Sequence, residues 1–264
     1  MSDSTQEVPQ NFEWPALVDD LNRLLRLRTT PIGMKWFENA EDLETIPKLR
    51  RPDGIFAADQ IVGQAARLNW TVGVTAADLV GTQCAAVLGL ARQDDEWLAG
   101  KNYAGVWYET PEDAAAHQEA VTCAGPGNFG AMAVSPLETG RLDPPDICLI
   151  YATPAQMILF INGLQWSGYE KLEFGCVGES ACADSWGRAR LTGEPSLSIP
   201  CYAERRYGGV MEDELLIALP PHFLPKTIEG LERLSKNGLR YPIPAYGLQM
   251  DVRAGMGFSY PGRK

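Results

Sequence analysis

Ile32-Gly33-Met34-Lys35-Trp36-Phe37 reads as a buried strand with a single cation at its centre. The residues before it set its start. Trp14, Leu17, Val18, Leu21, Leu24 and Leu25 recur at i, i+3, i+4 and i+7, the stripe of an amphipathic helix, and Thr29-Thr30-Pro31 stops that helix. A helix and a strand joined by a proline-bearing turn begin an α+β domain.

Downstream the alternation continues. Residues 57–68 resemble a second helix, and 69–74 are rich in β-branched residues and read as a strand. A Gly/Ala-rich segment spans 76–90. Pro111-Glu112-Asp113 opens an alanine-rich helix to about Cys123, its acids placed where the helix dipole prefers them. Residues 131–134 and 147–151 are expected strands. Thr153-Pro154 starts a helix to about Trp166, with threonine as cap and proline at the first helical position. A strand is expected over 172–177, a short helix over 181–191, an extended piece over 197–199 and a strand over 215–219. Pro220-Pro221 then leads into a helix with Phe223, Leu224, Ile228, Leu231 and Leu234 on one face.

The fold class expected is α+β, a mixed β-sheet packed with helices in a single compact domain. Residues 1–10 are polar and read as a flexible N-terminus, 11–236 as the domain, and 237–264 as a tail packing on the domain or on a neighbouring subunit.

Composition narrows the function. The chain of 264 residues is 45% hydrophobic and 22% charged, with a formal net charge of −11. An acidic surface repels phosphate backbones and anionic headgroups, and Arg50-Arg51 and Arg205-Arg206 are isolated basic pairs. Neither nucleic acid nor a membrane is the expected partner. A small-molecule ligand is, in a cytoplasmic homo-oligomer, most simply a dimer. The N-terminus lacks the basic start and apolar segment of a secretory signal. The six cysteines (84, 123, 148, 176, 182, 201) read as thiols of a reducing compartment.

Several motifs compete for the chemistry. Gly125-Pro126-Gly127-Asn128-Phe129-Gly130 matches G-x-G-x-x-G by letter, but a helix precedes it and a strand follows, the reverse of a dinucleotide loop. Gly178-Glu179-Ser180-Ala181-Cys182 resembles a nucleophile elbow without its last glycine, with Asp213 and His222 following in hydrolase order. The cysteines lack C-x-x-C spacing and only two histidines exist, so no metal site is expected, and no organic cofactor.

Lys35 is more informative, because an ammonium in an apolar strand loses hydration unless it is paired, deprotonated or snorkelling to water. Arg205 and Arg206, between Cys201 and Gly208-Gly209, suit a carboxylate. Asp184 lies one turn into the helix expected over 181–191, beside Cys182. Trp36 and Trp186 are candidates for an aromatic wall. The catalytic candidates are therefore Lys35, Asp184, Cys182 and Glu204. The substrate-binding candidates are Arg206, Arg205, Cys201, Trp36 and Trp186.

A wider pattern joins these pieces. Pro31-Ile32-Gly33-Met34-Lys35, Val134-Ser135-Pro136-Leu137-Glu138, Pro145 to Tyr151 with Pro154-Ala155-Gln156, Ala181-Cys182-Ala183-Asp184, Leu191 to Ser196, Pro200-Cys201 to Arg206 and Glu212-Asp213-Glu214-Leu215 follow in order and spacing. Together, over roughly residues 17 to 236, they resemble the bacterial and archaeal family called domain of unknown function one-six-nine. The resemblance implies one compact domain and no established cofactor. Many members have a cysteine before the glutamine of the second helix and a Cys-Pro-Gly segment before the Gly-rich stretch. This chain has Ala58-Asp59-Gln60 and Gly81-Thr82-Gln83-Cys84 there, so any thiol role at those places is lost. It keeps Lys35, Cys182, Asp184, Cys201 and Arg206, on which shared ligand chemistry should centre.

The expected function is a small-molecule enzyme without organic cofactor. It would be a lyase acting by elimination, retro-aldol cleavage or decarboxylation on an apolar or aromatic compound bearing a carboxylate or phenolate. The alternatives are a non-catalytic ligand sensor and, third, a thiol-redox or metal-binding protein. The five residues just named are expected to border one pocket.

Overall fold

The computed structural model describes residues 12–245 and residue 248. In chain order the elements are α1 Trp14–Leu25, β1 Ile32–Phe37, α2 Ala58–Leu68, β2 Val72–Val74, α3 Thr82–Val87, α4 Asp95–Leu98, α5 Pro111–Ala120, β3 Ala131–Pro136, β4 Ile147–Ala152, α6 Pro154–Leu164, α7 Arg188–Thr192, β5 Ser196–Ser198, α8 Tyr202–Arg206, β6 Leu215–Leu219 and α9 Phe223–Lys236. A π-helical turn, Ala183–Gly187, runs directly into α7.

The six strands form one sheet in the order β2-β3-β1-β4-β6-β5. Every ladder is antiparallel, and β1 lies near the centre, with Met34 opposite Val134 and Lys35 opposite Ala133. The sheet of this α+β domain is thus antiparallel where a mixed one is expected from the sequence, and parallel pairing among the described residues is limited to isolated bridges such as Arg50 with Val72.

Strand alternation sends successive side chains to opposite faces. Ile32, Met34 and Trp36 of β1 join Val72, Val74, Met132, Val134, Leu149, Tyr151, Leu216 and Ala218 in a layer with α2, α3 and Trp186. This is the first face. On the second, Cys148, Ile150, Ile217 and Leu219 pack against Trp14, Val18, Leu21 and Leu25 of α1, Phe160 of α6 and Leu224, Ile228 and Leu231 of α9. Lys35 is on this second face.

Local chemistry fixes the second-face helices. α1 carries a proline in its first turn and ends where Arg26 turns left-handed, at φ 55°. α6 begins with a reciprocal cap: Thr153 Oγ1 accepts from the Gln156 backbone, and the Gln156 carboxamide accepts from the Thr153 N–H.

Two further expectations are corrected. Residues 172–177 are not a strand, because Val177 N–H donates to the Asp184 carboxylate at 2.8 Å instead of to a sheet neighbour. The helix expected over 181–191 contains the π turn. Tyr241 packs on the second-face core, while most of the expected C-terminal tail and all of the expected N-terminal segment lie outside the described residues. Among the described residues no helix is long and apolar enough to cross a membrane.

Candidate functional site

On the first face, α2 and α8 meet backbone to backbone. A β-carbon at Gly63 would fall 2.5 Å from the Gly208 carbonyl oxygen. One at Gly208 would fall 2.7 Å from the Glu204 carbonyl and 2.8 Å from that of Asp59. Only glycine permits that approach. Its consequence is chemical: Asp59, at the start of α2, and Glu204, on α8, both enter the apolar layer, 4% and 1% exposed.

The two acids differ in support. Glu204 Oε2 accepts the Cys201 N–H at 2.8 Å, which caps α8, while Oε1 has no hydrogen-bond partner among the described residues. Burial pushes the Glu204 carboxyl up to about 8, with Asp59 adding to the rise. Burial likewise raises Asp59 to about 7, and nearby Glu179 contributes. Each acid disfavours the charge of the other, so they titrate as a pair.

Three thiols surround the pair. Cys182 lies within electrostatic reach of Asp59, Cys201, Glu204 and Cys84, and burial drives its thiol well above its usual range. Burial also raises Cys201, and raises Cys84 to about 11. All three are therefore neutral thiols at ordinary pH rather than nucleophilic thiolates. Glu179, half-buried, lies near Tyr202 and Cys201, and burial lifts its carboxyl too.

The elbow-like turn is strained as its sequence suggests: Ser180 adopts φ 64°. Its hydroxyl, however, meets Tyr103 Oη at 3.1 Å and Gln83 Nε2 at 3.5 Å. His117 Nε2 sits 2.7 Å from the Glu179 carbonyl. Asp213 pairs with Arg28 on the surface and His222 stacks beside Phe223, so no Ser–His–Asp triad is assembled. Gly125–Gly130 joins α5 to β3, a helix-to-strand turn. Among the described residues no three His, Cys, Asp or Glu side chains converge as metal ligands.

Of the residues singled out from sequence, Cys182, Cys201, Glu204 and Trp186 come together. Lys35, on the opposite face, donates from Nζ to the Pro144 carbonyl at 2.9 Å. Trp36 shares the first-face layer, but its indole donates to the Leu88 carbonyl at 2.7 Å. Asp184 turns to Val177. Arg205 holds the segment after α8 through the Pro200, Met211 and Glu214 carbonyls. Arg206 is on the surface, against the Tyr202 and Tyr207 rings. The single pocket expected for Lys35, Cys182, Asp184, Cys201 and Arg206 is thus divided between two faces and the surface.

Sequence reasoning missed Asp59, Cys84 and Glu179 as partners. A signal for Asp59 was present: it shares a helical stripe with Val62 and Ala66 at i+3 and i+7, so its carboxyl had to point inward.

The comparisons with known proteins carry no activity. An uncharacterized protein of Methanocaldococcus jannaschii is 27% identical over 154 residues, covering 56% of this chain and 64% of the relative's own length. No solved structure matches. The family DUF169, described as uncharacterised ArCR, matches residues 20–230. That span takes in α2, the π turn and α8, the segments that build the acid and thiol cluster, and this chain belongs to the DUF169 family.

Proposed function

We propose that the protein is a small-molecule enzyme working by proton transfer without an organic cofactor, with elimination as its reaction class. The observation that carries this reading is the buried pair Asp59 and Glu204, two acids raised to about 7 and about 8 beside one another. Such a pair holds one proton near neutral pH, so one member serves as base and the other as acid. Elimination needs both: a base removes the proton next to an activating group, and an acid protonates the departing oxygen. The neutral thiols of Cys84 and Cys182 lie within electrostatic reach of the pair, and the half-buried Glu179 adds its charge to Asp59. These neutral thiols, with the apolar lining of Val62, Ala66 and Val210, suit a largely apolar compound bearing a carboxylate or phenolate. Retro-aldol cleavage and decarboxylation gain less support, since neither Lys35 nor Arg206 lies beside the acids.

In the same reading the partner is a small molecule and the protein is a cytoplasmic dimer. Six free thiols are consistent with a reducing compartment, and light scattering tests the dimer.

The test uses a panel of small aliphatic and aromatic carboxylates, hydroxy acids and phenols in D2O, followed by NMR. Deuterium exchange or an elimination product is expected, reduced about 10²- to 10⁴-fold in Asp59→Asn and in Glu204→Gln. Turnover unchanged by either substitution overturns the assignment. Saturable binding with no exchange for any compound would favour a ligand sensor instead.

A further inference from the structure

We propose that the small cavity between α2, α8, β4 and the π turn is a built site for one water molecule, which hydrogen-bonds Glu204 and Trp186 and passes protons between Glu204 and Asp59. Its use in turnover rests on the acid–base reading above, but the water site itself does not.

The cavity holds about 10 Å³, close to the minimum that one water occupies. Two buried polar atoms on its lining residues are unpartnered among the described residues: Glu204 Oε1 and the Trp186 indole nitrogen. Trp186 is fully buried and Glu204 is 1% exposed, so bulk solvent reaches neither side chain. An unmade hydrogen bond on a buried group costs about 1–3 kcal/mol, and two such atoms at one cavity of this size are best explained by a shared third partner. The polarity fits water. The indole N–H only donates, and a water oxygen accepts from it. The same water then donates one hydrogen to Glu204 Oε1 and the other towards Asp59, which also lines the cavity. A dry cavity would be apolar all round. Here Val62, Ala66 and Val210 supply only part of the wall.

The transfer balances without an added reagent. When Asp59 is ionised and Glu204 protonated, the water gives a proton to the Asp59 carboxylate and takes the carboxyl proton of Glu204. The products are protonated Asp59, ionised Glu204 and the same neutral water. Acid and base exchange roles, as an elimination cycle requires after each turnover. Several groups bear on this equilibrium. Tyr151 from β4, Cys84 from α3, Cys182 at the π turn, Cys201 at the cap of α8 and Arg205 of α8 are within electrostatic reach of the acids, and Glu179 adds its charge to Asp59. At the outer lip Arg67 and Thr29 are tied to Glu214, at 2.7 Å and 2.5 Å.

The experiment is a crystal structure at atomic resolution with infrared titration of the carboxyl groups, on the full chain and on two variants. An ordered oxygen within hydrogen-bond distance of both Glu204 Oε1 and Trp186 Nε1 is expected. Val62→Ile fills the cavity and should remove that oxygen and shift the acid titration upward by about one pH unit, tenfold in the equilibrium. Trp186→Phe removes the donor while keeping an aromatic wall, and should weaken or displace the same oxygen. A cavity without density at atomic resolution overturns the proposal, as does an unchanged titration once the oxygen is gone. Failure of the acid–base reading is told apart by turnover: an inactive protein that still holds this water loses only the elimination assignment.

Discussion

The two faces of the sheet treat buried polarity in opposite ways. On the second face Gln156 is buried beneath α1, yet its Nε2 donates to the Leu25 and Arg26 carbonyls at 2.9 and 3.0 Å, and its Oε1 accepts from the Thr153 N–H and hydroxyl. Every valence is used, so this polar group pins α6 to the end of α1. On the first face Glu204 is buried equally deeply with one oxygen unpartnered, next to a second acid and three thiols. The second face satisfies its buried polar group, and the first holds a buried carboxyl oxygen without a partner among the described residues.

The sharpest way to break this contrast is to empty the second face. Phe160 is fully buried there. Phe160→Ala should cost about 3–5 kcal/mol in chemical denaturation, while leaving the infrared titration of Asp59 and Glu204 in place. A shifted titration would mean that the faces are coupled through the sheet.

Next in size is pH. Both acids have folded-state pKa values above their ordinary ones, so the stability linked to them is full below the ordinary carboxylate range and is lost as pH rises towards the folded values. From about pH 5 up to about pH 7 for Asp59 and about pH 8 for Glu204, each group ionises only in the unfolded chain and should lower stability by on the order of 1.4 kcal/mol per pH unit. Glu204→Gln should flatten this slope, as read from denaturation midpoints across that range. A wild-type stability that rises with pH would refute the buried acid pair.

Gly208→Ala should cost about 1–3 kcal/mol, because its methyl would meet the carbonyls of both Glu204 and Asp59 and must drive α2 from α8. The informative readout is the titration, which should split into two independent steps as the acids separate. Lys35→Met is the mildest change. With Lys35 on the second face and bonded to Pro144, it should alter stability by no more than about 0.5 kcal/mol and leave turnover unchanged. A large loss of activity would return Lys35 to the site.

Much of this architecture was legible because it is local. Hydrophobic spacing marks α1 and α9, the Thr153-Pro154 cap marks α6, and the apolar runs mark β1, β4 and β6. The site was half legible. Cys182, Cys201 and Glu204 stand out in the sequence through Asp184 beside Cys182 and through Pro200-Cys201 leading into Arg205 and Arg206. Lys35 drew notice through its apolar neighbours, but one-dimensional patterning does not tell which face of a sheet carries the chemistry. Asp59 was masked by its place in the first turn of a helix, where an acid ordinarily compensates the dipole. Its approach to Glu204 depends on the contact between Gly63 and Gly208, a non-local event with no signature in either segment alone. The loop over 172–177 escaped because Asp184 captures Val177, again across a turn.

The π turn at Ala183–Gly187 makes chain length, rather than residue identity, the vulnerable quantity in this segment. A π turn holds one residue more than the α-helical path would need. Deleting a single residue between Cys182 and Arg188 would let a regular helix form over the same path, with the flanks in phase but the residues inside the turn re-aimed. Trp186, inside the turn, would then leave the cavity it lines. Substitutions here are expected to be graded in effect, whereas a one-residue deletion should act as a switch that gains a better helix and loses the site at once.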